Sequence, residues 1–483
     1  MDLHRPGWLR EFFSLLLGDY EPARAESRVG IGSGGVEALE TPRIRARRHL
    51  ALELRRSGLI YGSPKLPSRL TSGTRLDRAA AHFFSVLAGE CFVALDVGRI
   101  YGISFDPEQA QATLSFLLAA GIGRVDLATS LAAELGATRQ APRGRVARWV
   151  SGGPMLLRGS ARSNFDRLQE RLEVALVERV ALATGETVFD LPIHNSRIFG
   201  EARLIGHLAV DLREKGYFRP ELAARLVDAS FRERANLLPA LVAPARLQRP
   251  PSDAERRTIA RELRSLGVPR AWSRRLKIAT EISPTPLDLA SRIRTRTARR
   301  FALEQAWLAS MIGGLDETED RFLADLAAAF GFPEDALDSI EAEVADYFYD
   351  PDEIIDSFEI RAKAQESSGK LADRIERELT ENLDRILLEV KETGELAQFL
   401  AKAAIGKKLT RDEREKAREQ LIDLAKVVPS LAIFAAPGGM LILAALAKVL
   451  PFSLLPSSFH PPPEAAPRRP SRLPSRSRRP PRT

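Results

Sequence analysis

Residues 165–180 read FDRLQERLEVALVERV, and this stretch indicates the fold of the chain. Its apolar residues recur at steps of three and four positions, as one face of a helix requires. They are Phe165, Leu168, Leu172, Leu176 and Val180. Elsewhere Ala, Leu, Arg and Glu recur, while runs of Val, Ile and Thr are scarce. Because helix formers dominate, the sequence predicts an all-α protein built from several helical segments.

The composition limits the kind of protein this chain can be. Its 483 residues suggest two to four domains at roughly 100–200 residues each. Cys91 is the single cysteine, so the chain can form neither an internal disulfide nor a zinc site with several cysteine ligands. These features favour a reducing compartment.

Residues 1–40 are predicted to form a helix followed by a Gly-rich linker. The apolar start contains Asp2 and Glu11 and has no small-residue cleavage site after it, so an amphipathic helix is favoured over a secretory signal. Residues 30–35, GIGSGG, match the pattern G-x-G-x-x-G. A dinucleotide site needs an apolar strand before that pattern, and residues 21–28, EPARAESR, are not one, so the linker is favoured.

Residues 41–240 are predicted to form a helical domain. Two glycine-dotted apolar stretches, 79–103 and 112–136, contain internal charges and fall short of the ~18 uncharged residues of a membrane helix. They are therefore predicted to be buried core helices. The residues after the first apolar stretch, IYGISFDPE at 100–108, resemble the EcsC family of helical, membrane-linked bacterial proteins, at about 79–110.

Three polar residues in this domain raise the question of a metal site. His194, Glu201 and His207 are separated by seven and six positions. Metal-binding pairs on a helix are usually three or four positions apart, so the three residues are interpreted as ordinary polar residues.

Charge is segregated along the second half of the chain. Residues 241–300 contain 15 basic and 5 acidic side chains, whereas residues 301–360 contain 1 basic and 17 acidic ones. Such blocks are typical of interaction surfaces or of opposite faces that pair. Prolines also punctuate 241–300, which we predict to be a basic linker with short helices. Its one aromatic residue, Trp272, offers little stacking for nucleic acid.

The acidic segment, residues 301–360, is predicted to contain three helices, at 301–312, 317–330 and 336–348. Asp316 is the expected N-cap of the second helix, and Glu319 would complete a capping box. The stretch IGGLDETE at 312–319 resembles the acidic turn of the TerB-like helical domain, although Gly313 stands where that family has its first aspartate.

Two interpretations of this acidic turn remain open. A divalent cation could bind among Asp316, Glu319 and Asp320, because hard cations prefer clustered carboxylates. Alternatively, the carboxylates form a solvated helix face that could receive a protein partner.

Residues 361–460 end in an apolar segment. A helix is predicted to start at Thr410, with Glu413 completing a capping box. The 21 residues 427–447 carry no charge and would span ~31 Å as a helix, against a hydrocarbon core of ~30 Å. Lys426 and Lys448 flank this segment. Its prolines and glycines suit either a membrane helix with neighbours or two short buried helices.

The order of motifs from 409 to 459 resembles the LETM family of cation/proton-exchange proteins. The matching residues are LTRDER at 409–414, Asp423-Leu424, Val428-Pro429, Phe434, Pro437, Lys448, Leu450-Pro451 and LPSSF at 455–459. The resemblance implies a membrane segment containing Pro429, Phe434, Pro437, Gly438, Gly439, Lys448, Pro451 and Pro456. Met440 stands where the family has a glutamate inside the membrane segment. Ion exchange by the family's route is therefore not implied for this chain.

Residues 461–483 are predicted to be a disordered Pro/Arg/Ser tail that cannot build a core. The tail stands where the LETM family continues with a ribosome-binding-like domain. Its arginines are expected to contact anionic lipid or RNA, and otherwise to keep the chain soluble. They are Arg468, Arg469, Arg472, Arg476, Arg478 and Arg479.

The sequence predicts a LETM-like protein that associates with membrane lipid at the bacterial inner membrane or its cytoplasmic face, with a role in cation homeostasis or membrane organisation. The alternative is a soluble helical scaffold with a ribosome or RNA as its partner. We predict no catalytic residues and no cofactor, because Walker, H-E-x-x-H and G-x-S-x-G motifs are missing from the sequence.

Overall fold

The computed structural model describes residues 2–20 except 4, 41–65, 76–139 except 104–105, 160–178, 187 and 189–349 with gaps at 248, 267–268, 314–315 and 334. Beyond these it describes single positions and short runs between 355 and 449. The chain divides into two compact units, Met1–Leu371 and Ala372–Thr483.

The part of unit 1 that the structure describes consists of α-helices and two short 3₁₀ turns, with no strand among them, so the all-α prediction is confirmed. The first seven helices are α1 (Trp8–Asp19), α2 (Pro42–Arg56), α3 (Arg78–Ile100), α4 (Pro107–Gly121), α5 (Val125–Glu134), α6 (Ser160–Val177) and α7 (Asp190–Lys215). The next seven are α8 (Pro220–Val242), α9 (Asp253–Ser265), α10 (Arg270–Glu281), α11 (Pro286–Arg292), α12 (Arg296–Gly313), α13 (Glu317–Ala329) and α14 (Ala336–Tyr349). The 3₁₀ turns are Leu59–Tyr61 and Pro244–Arg246.

Local sequence explains where several helices begin. The side chains of Asp77 and Asp106 accept backbone N–H groups in the first turns of α3 and α4, which satisfies donors that have no partner inside the helix. Ser252 and Thr285 form complete capping boxes with Glu255 at the start of α9 and with Asp288 at the start of α11. The Pro-containing segment 241–300 therefore holds three short helices, and side chains set the starts of two of them, α9 and α11, whereas α10 follows Pro269 without a side-chain cap.

A first hydrophobic cluster joins α1 to helices α3 to α8. Trp8 and Phe12 of α1 are buried against Phe84 of α3, and the rings of Phe12 and Phe84 stack with centroids 5.6 Å apart. The carboxylate of Glu173 on α6 accepts the backbone N–H groups of Gly7 at 2.9 Å and Leu9 at 3.0 Å. The apolar start of the chain is thus part of the core and is held by a carboxylate that caps its first turn.

A second cluster contains α2, the turn Leu59–Tyr61, parts of α3, α7 and α8, and α11 to α14. Phe199 of α7 stacks on Phe301 of α12 with ring centroids 4.1 Å apart. Helices from the predicted segments 41–240 and 301–360 therefore share one core. A smaller cluster packs α9 and α10 against α7 and α8.

Helix α3 is the one helix within the described residues whose length and composition would suit a membrane span, with a mean hydropathy of 1.5. In the structure 83% of the most apolar 18-residue stretch of this helix is buried inside the protein. Cys91, on this helix, is fully buried, and burial raises the pKa of its thiol well above the ordinary value. The predicted core helix at 79–103 is confirmed up to Ile100, where α3 ends, whereas the predicted helix at 112–136 is divided between α4 and α5.

Candidate functional site

The predicted acidic turn lies at the start of α13. Asp316 is its N-cap, as predicted: its Oδ1 accepts the backbone N–H groups of Thr318 and Glu319, each at 2.9 Å. The Glu319 side chain turns inward and is 6% exposed, whereas Asp320 faces solvent. In the part of the chain that is described, no group of three His, Cys, Asp or Glu side chains is arranged to hold a metal ion. A divalent cation at Asp316, Glu319 and Asp320 therefore stays a prediction.

The buried position of Glu319 changes its acidity. Burial disfavours the charged carboxylate, and Asp316 adds repulsion, which together raise the pKa of Glu319 to about 7. The backbone N–H of Asp316 opposes the shift only in part. This carboxyl therefore changes charge near neutral pH.

The predicted membrane segment and tail lie almost entirely outside the described residues. Ala445 and Leu446 are the described residues of the segment 427–447; both are helical, and they are 5% and 0% exposed. The following predicted site residues lie outside the described part: Pro429, Phe434, Pro437, Gly438, Gly439, Lys448, Pro451, Pro456, Arg468, Arg469, Arg472, Arg476, Arg478 and Arg479.

The helix start before that segment is described, and the capping box predicted there is confirmed. The backbone N–H of Glu413 donates to Oγ1 of Thr410 at 3.3 Å, and the backbone N–H of Thr410 donates to the Glu413 carboxylate at 2.9 Å. Lys402 also pairs with Glu413, and this hydrogen bond is the largest cause of the lowered pKa of Glu413. Within the motif that opens the LETM-like stretch, the described residues Thr410 and Glu413 therefore hold each other's backbone N–H groups.

An ion-pair network inside unit 1 was not predicted from the sequence. Glu304 of α12 is fully buried, and its Oε1 accepts Nε of Arg55 at 2.8 Å and Nε of Arg300 at 2.9 Å. Arg300 also donates to Glu343 of α14 at 2.6 Å. Tyr61 lies beside the network, and burial followed by the charge of Glu304 raises the pKa of its hydroxyl well above the ordinary value.

Amides complete the polar layer next to this network. Asn195 of α7 and Gln305 of α12 are both fully buried, and the Asn195 amide donates to Oε1 of Gln305 at 2.9 Å. Both amides also donate to the backbone carbonyl of Ile60, at 3.1 and 2.7 Å respectively. The turn Leu59–Tyr61 is therefore fixed by side chains that lie far away in the sequence.

Gly58 and Gly62 bracket this turn, and both have positive φ, of 74° and 70°. A Cβ at Gly58 would lie 1.9 Å from the Tyr347 hydroxyl, and a Cβ at Gly62 would lie 2.1 Å from Leu191. Backbone conformation and space both require glycine at these two positions.

Two separate polar groups with buried histidines lie in unit 1, and the first is a pair of histidines. The Nε2 atoms of His82 and His194 are 2.9 Å apart, so one ring donates to the other, and the Phe358 ring lies beside both. Burial and then Arg197 lower the pKa of His82 to about 4. His194 thus has a ring partner far away in sequence; the expectation that it is an ordinary polar residue agrees with this contact.

The second group contains His49. His49 Nε2 is 2.8 Å from Oδ2 of Asp96, and the Tyr20 hydroxyl donates to Oδ1 of the same carboxylate at 2.8 Å. The buried charge of Asp96 is thereby hydrogen-bonded from α2 and from the end of α1. Such pairing joins helices and explains how a charged residue fits within the apolar helix α3.

Periodicity and capping signals in the sequence found the helix starts at Asp316 and Thr410 but not the ion pairs. Arg55 and Glu304 are 249 positions apart, so no local spacing connects them.

Comparisons of the chain with family models, with curated proteins and with solved structures find no match.

Proposed function

We propose that the protein is a LETM-like, membrane-associated helical protein with a role in cation homeostasis or membrane organisation, at the bacterial inner membrane or its cytoplasmic face. The observation that carries the proposal is the uncharged segment 427–447, flanked by Lys426 and Lys448 and preceded by the Thr410–Glu413 capping box. Lysines at both ends of an apolar segment can extend to the two lipid interfaces.

The charged segments contribute to this proposal in separate ways. The arginines of residues 461–483 would lie on anionic lipid, each adding about 1 kcal/mol of attraction near the surface. The acidic helices α13 and α14 would offer a surface to a protein partner or a divalent cation. Met440 occupies the position of the family's membrane glutamate, so the proposal does not include ion exchange by that residue.

Membrane fractionation of the tagged full-length protein tests the proposal. Retention through a carbonate wash and a high-salt wash is expected for an inserted segment, and liposome cation-flux assays comparing the parent with Met440→Glu would follow. Release by salt alone would show that the contact is electrostatic and that residues 427–447 are not inserted. Recovery in the soluble fraction from the start would contradict membrane association.

A soluble helical scaffold, with a ribosome or RNA as partner, is the second candidate. The burial of Ala445 and Leu446 favours it, because these two residues of the apolar segment are covered within the chain.

Ala435→Arg distinguishes the two candidates. In a membrane segment the new charge should abolish recovery of the chain in the membrane fraction, since arginine at the centre of a span is costly. In a packed core it should instead make the protein insoluble, because a buried charge would lack a partner. Ser471→Arg, in the basic tail, adds the same charge and should change neither property. Unchanged membrane recovery of Ala435→Arg would contradict the membrane candidate.

A further inference from the structure

Helix α10 and the residues that follow it expose large apolar side chains. The helix buries only Leu276 and Thr280 against unit 1. Because successive residues turn by about 100°, Ile278 lies about 200° from Leu276, on the opposite side of the helix. Ile278 is 56% exposed, and Ile282, the extended residue that ends the helix, is 69% exposed. A surface helix normally carries polar residues in these positions.

Exposed apolar side chains are concentrated at this place. Six large apolar side chains are exposed among the described residues, and three of them, Ile278, Ile282 and Leu287, fall within ten positions of the sequence. Leu287, at the start of α11, is the most exposed of the six, at 75%. Single exposed apolar residues are ordinary, but three in one short stretch favour an interaction surface at this place.

Basic residues outnumber acidic ones in the stretch that holds this group. Residues 270–296 contain seven basic and two acidic side chains. Arg274, Arg275 and Lys277 of α10 are exposed, and none of them forms an ion pair within the described part of the chain. On the neighbouring helices Arg234 pairs with Glu262 and Arg246 pairs with Glu255. The positive charge of α10 is therefore available to an external partner.

We propose that the basic apolar face at the end of α10 docks on an anionic lipid surface. It is formed by Arg274, Arg275, Lys277 and Ile278 of the helix and by Ile282 and Leu287, which follow it. Aliphatic side chains beside exposed cations are the combination that enters the boundary between headgroups and acyl chains.

A nucleic acid fits this face less well. Single strands are bound by stacking on aromatic rings, and Trp272, the aromatic residue of α10, packs inward against the cluster formed with α7 to α9. The lipid contact goes beyond the proposed function: it belongs to unit 1 and does not depend on insertion of residues 427–447.

A fluorophore placed on this face tests the inference in the full-length chain. Cys91 is fully buried, so Ile282→Cys can be labelled with an environment-sensitive nitrobenzoxadiazole dye through a single reactive thiol. Vesicles of phosphatidylcholine mixed with phosphatidylglycerol should shift the dye emission to the blue. Pure phosphatidylcholine vesicles should give a smaller shift, because the cations then have no anionic partner.

Two matched variants control this experiment. Val174→Cys places the same dye at another exposed apolar position, on α6, where residues 160–178 include both acidic and basic side chains; its emission should stay unchanged. Adding Arg274→Gln, Arg275→Gln and Lys277→Gln to Ile282→Cys should lower the vesicle affinity, measured by titrating vesicles against the emission shift, by about fivefold for each cation removed.

Pelleting of the chain with vesicles is measured in parallel, since it reports on the proposed membrane association. Unchanged emission at position 282 overturns the inference whether or not the chain pellets. Emission that shifts with protein concentration and without vesicles also overturns it, because a second copy of the chain then covers the face. A vesicle-dependent shift in chains that carbonate releases supports the inference and argues against an inserted C-terminal segment.

Discussion

Gly58 is required for two independent reasons, its backbone conformation and the lack of space for a side chain. The backbone of Gly58 has φ of 74°, which costs an L-residue about 1 kcal/mol, and its missing side chain leaves room for the Tyr347 hydroxyl. That hydroxyl donates to the backbone carbonyl of Ser63, and this hydrogen bond joins the residues after the turn Leu59–Tyr61 to α14. A side chain at 58 would have to displace this contact.

Gly58→Ala should therefore destabilise the protein by about 2 kcal/mol or more, from strain and from the displaced tyrosine together. Gly102→Ala is the matched control, because Gly102 has φ of 73° and its Cβ would meet no atom within 4 Å. The control should lose only about 1 kcal/mol. Urea unfolding followed by intrinsic fluorescence measures both, and equal losses would show that the contact with Tyr347 adds nothing.

Among the elements, α2, α12 and α14 are connected by charge as well as by apolar packing. Glu304 of α12 sits between the guanidinium groups of Arg55 and Arg300, and Glu343 of α14 closes the network. Glu304 is fully buried, so the two arginines would lose their principal counter-charge if it were neutralised. The network therefore fixes how the three helices meet.

Replacing Glu304 by Gln should cost about 1–3 kcal/mol, because Arg55 and Arg300 then keep only Glu343 as a counter-charge. The control is Asp228→Asn, which breaks an exposed pair with Arg232 on α8 and should cost less than about 1 kcal/mol. Both free energies come from urea denaturation. A cost for Glu304→Gln as small as that of the exposed pair would contradict the structural role assigned to the network.

Helices were predictable from the sequence because their signals are local. The period of the apolar residues in 165–180 corresponds to α6, and Asp316 and Thr410 marked helix starts through a spacing of three residues. The carboxylate of Glu319 was predicted to be available for a cation, yet its side chain is buried. That outcome depends on how α13 packs in the second cluster, which no spacing within the acidic turn encodes.

In unit 1, burial shifts the pKa values of two histidines and one glutamate, and these shifts change stability in opposite directions as pH changes. The pKa values of His82 and His207 are both lowered to about 4, chiefly by burial, so the folded state binds fewer protons than the unfolded state between pH 4 and 6.5. Their contribution to stability falls as pH falls through this range. Glu319 acts in the opposite direction, because its pKa is raised to about 7 in the folded state. Its contribution to stability is fully present below pH 4.5 and is lost as pH rises through 7.

Glu319→Gln should remove the second effect alone. Near pH 4.5 the variant and the parent should be about equally stable, because the parent carboxyl is then neutral in the folded state. By pH 8 the variant should be more stable by about 1–3 kcal/mol. Urea unfolding at a series of pH values measures the difference. Asp320→Asn, on the exposed side of the same turn, is the control, and a difference that does not change with pH would contradict the assignment.

The two large clusters of unit 1 draw on different lengths of chain, which bears on synthesis at the ribosome. The buried members of the first cluster all precede position 228. The turn Leu59–Tyr61 belongs to the second cluster, which also requires Phe301, Phe348 and Ile360, and Ser63 donates to the carbonyl of Ile355 across 292 positions. A nascent chain can therefore condense its first cluster early, while the residues around position 60 must stay uncovered until about 300 further residues have been translated. Chaperones that survey unfinished chains would meet this turn for most of the time that the protein is being made.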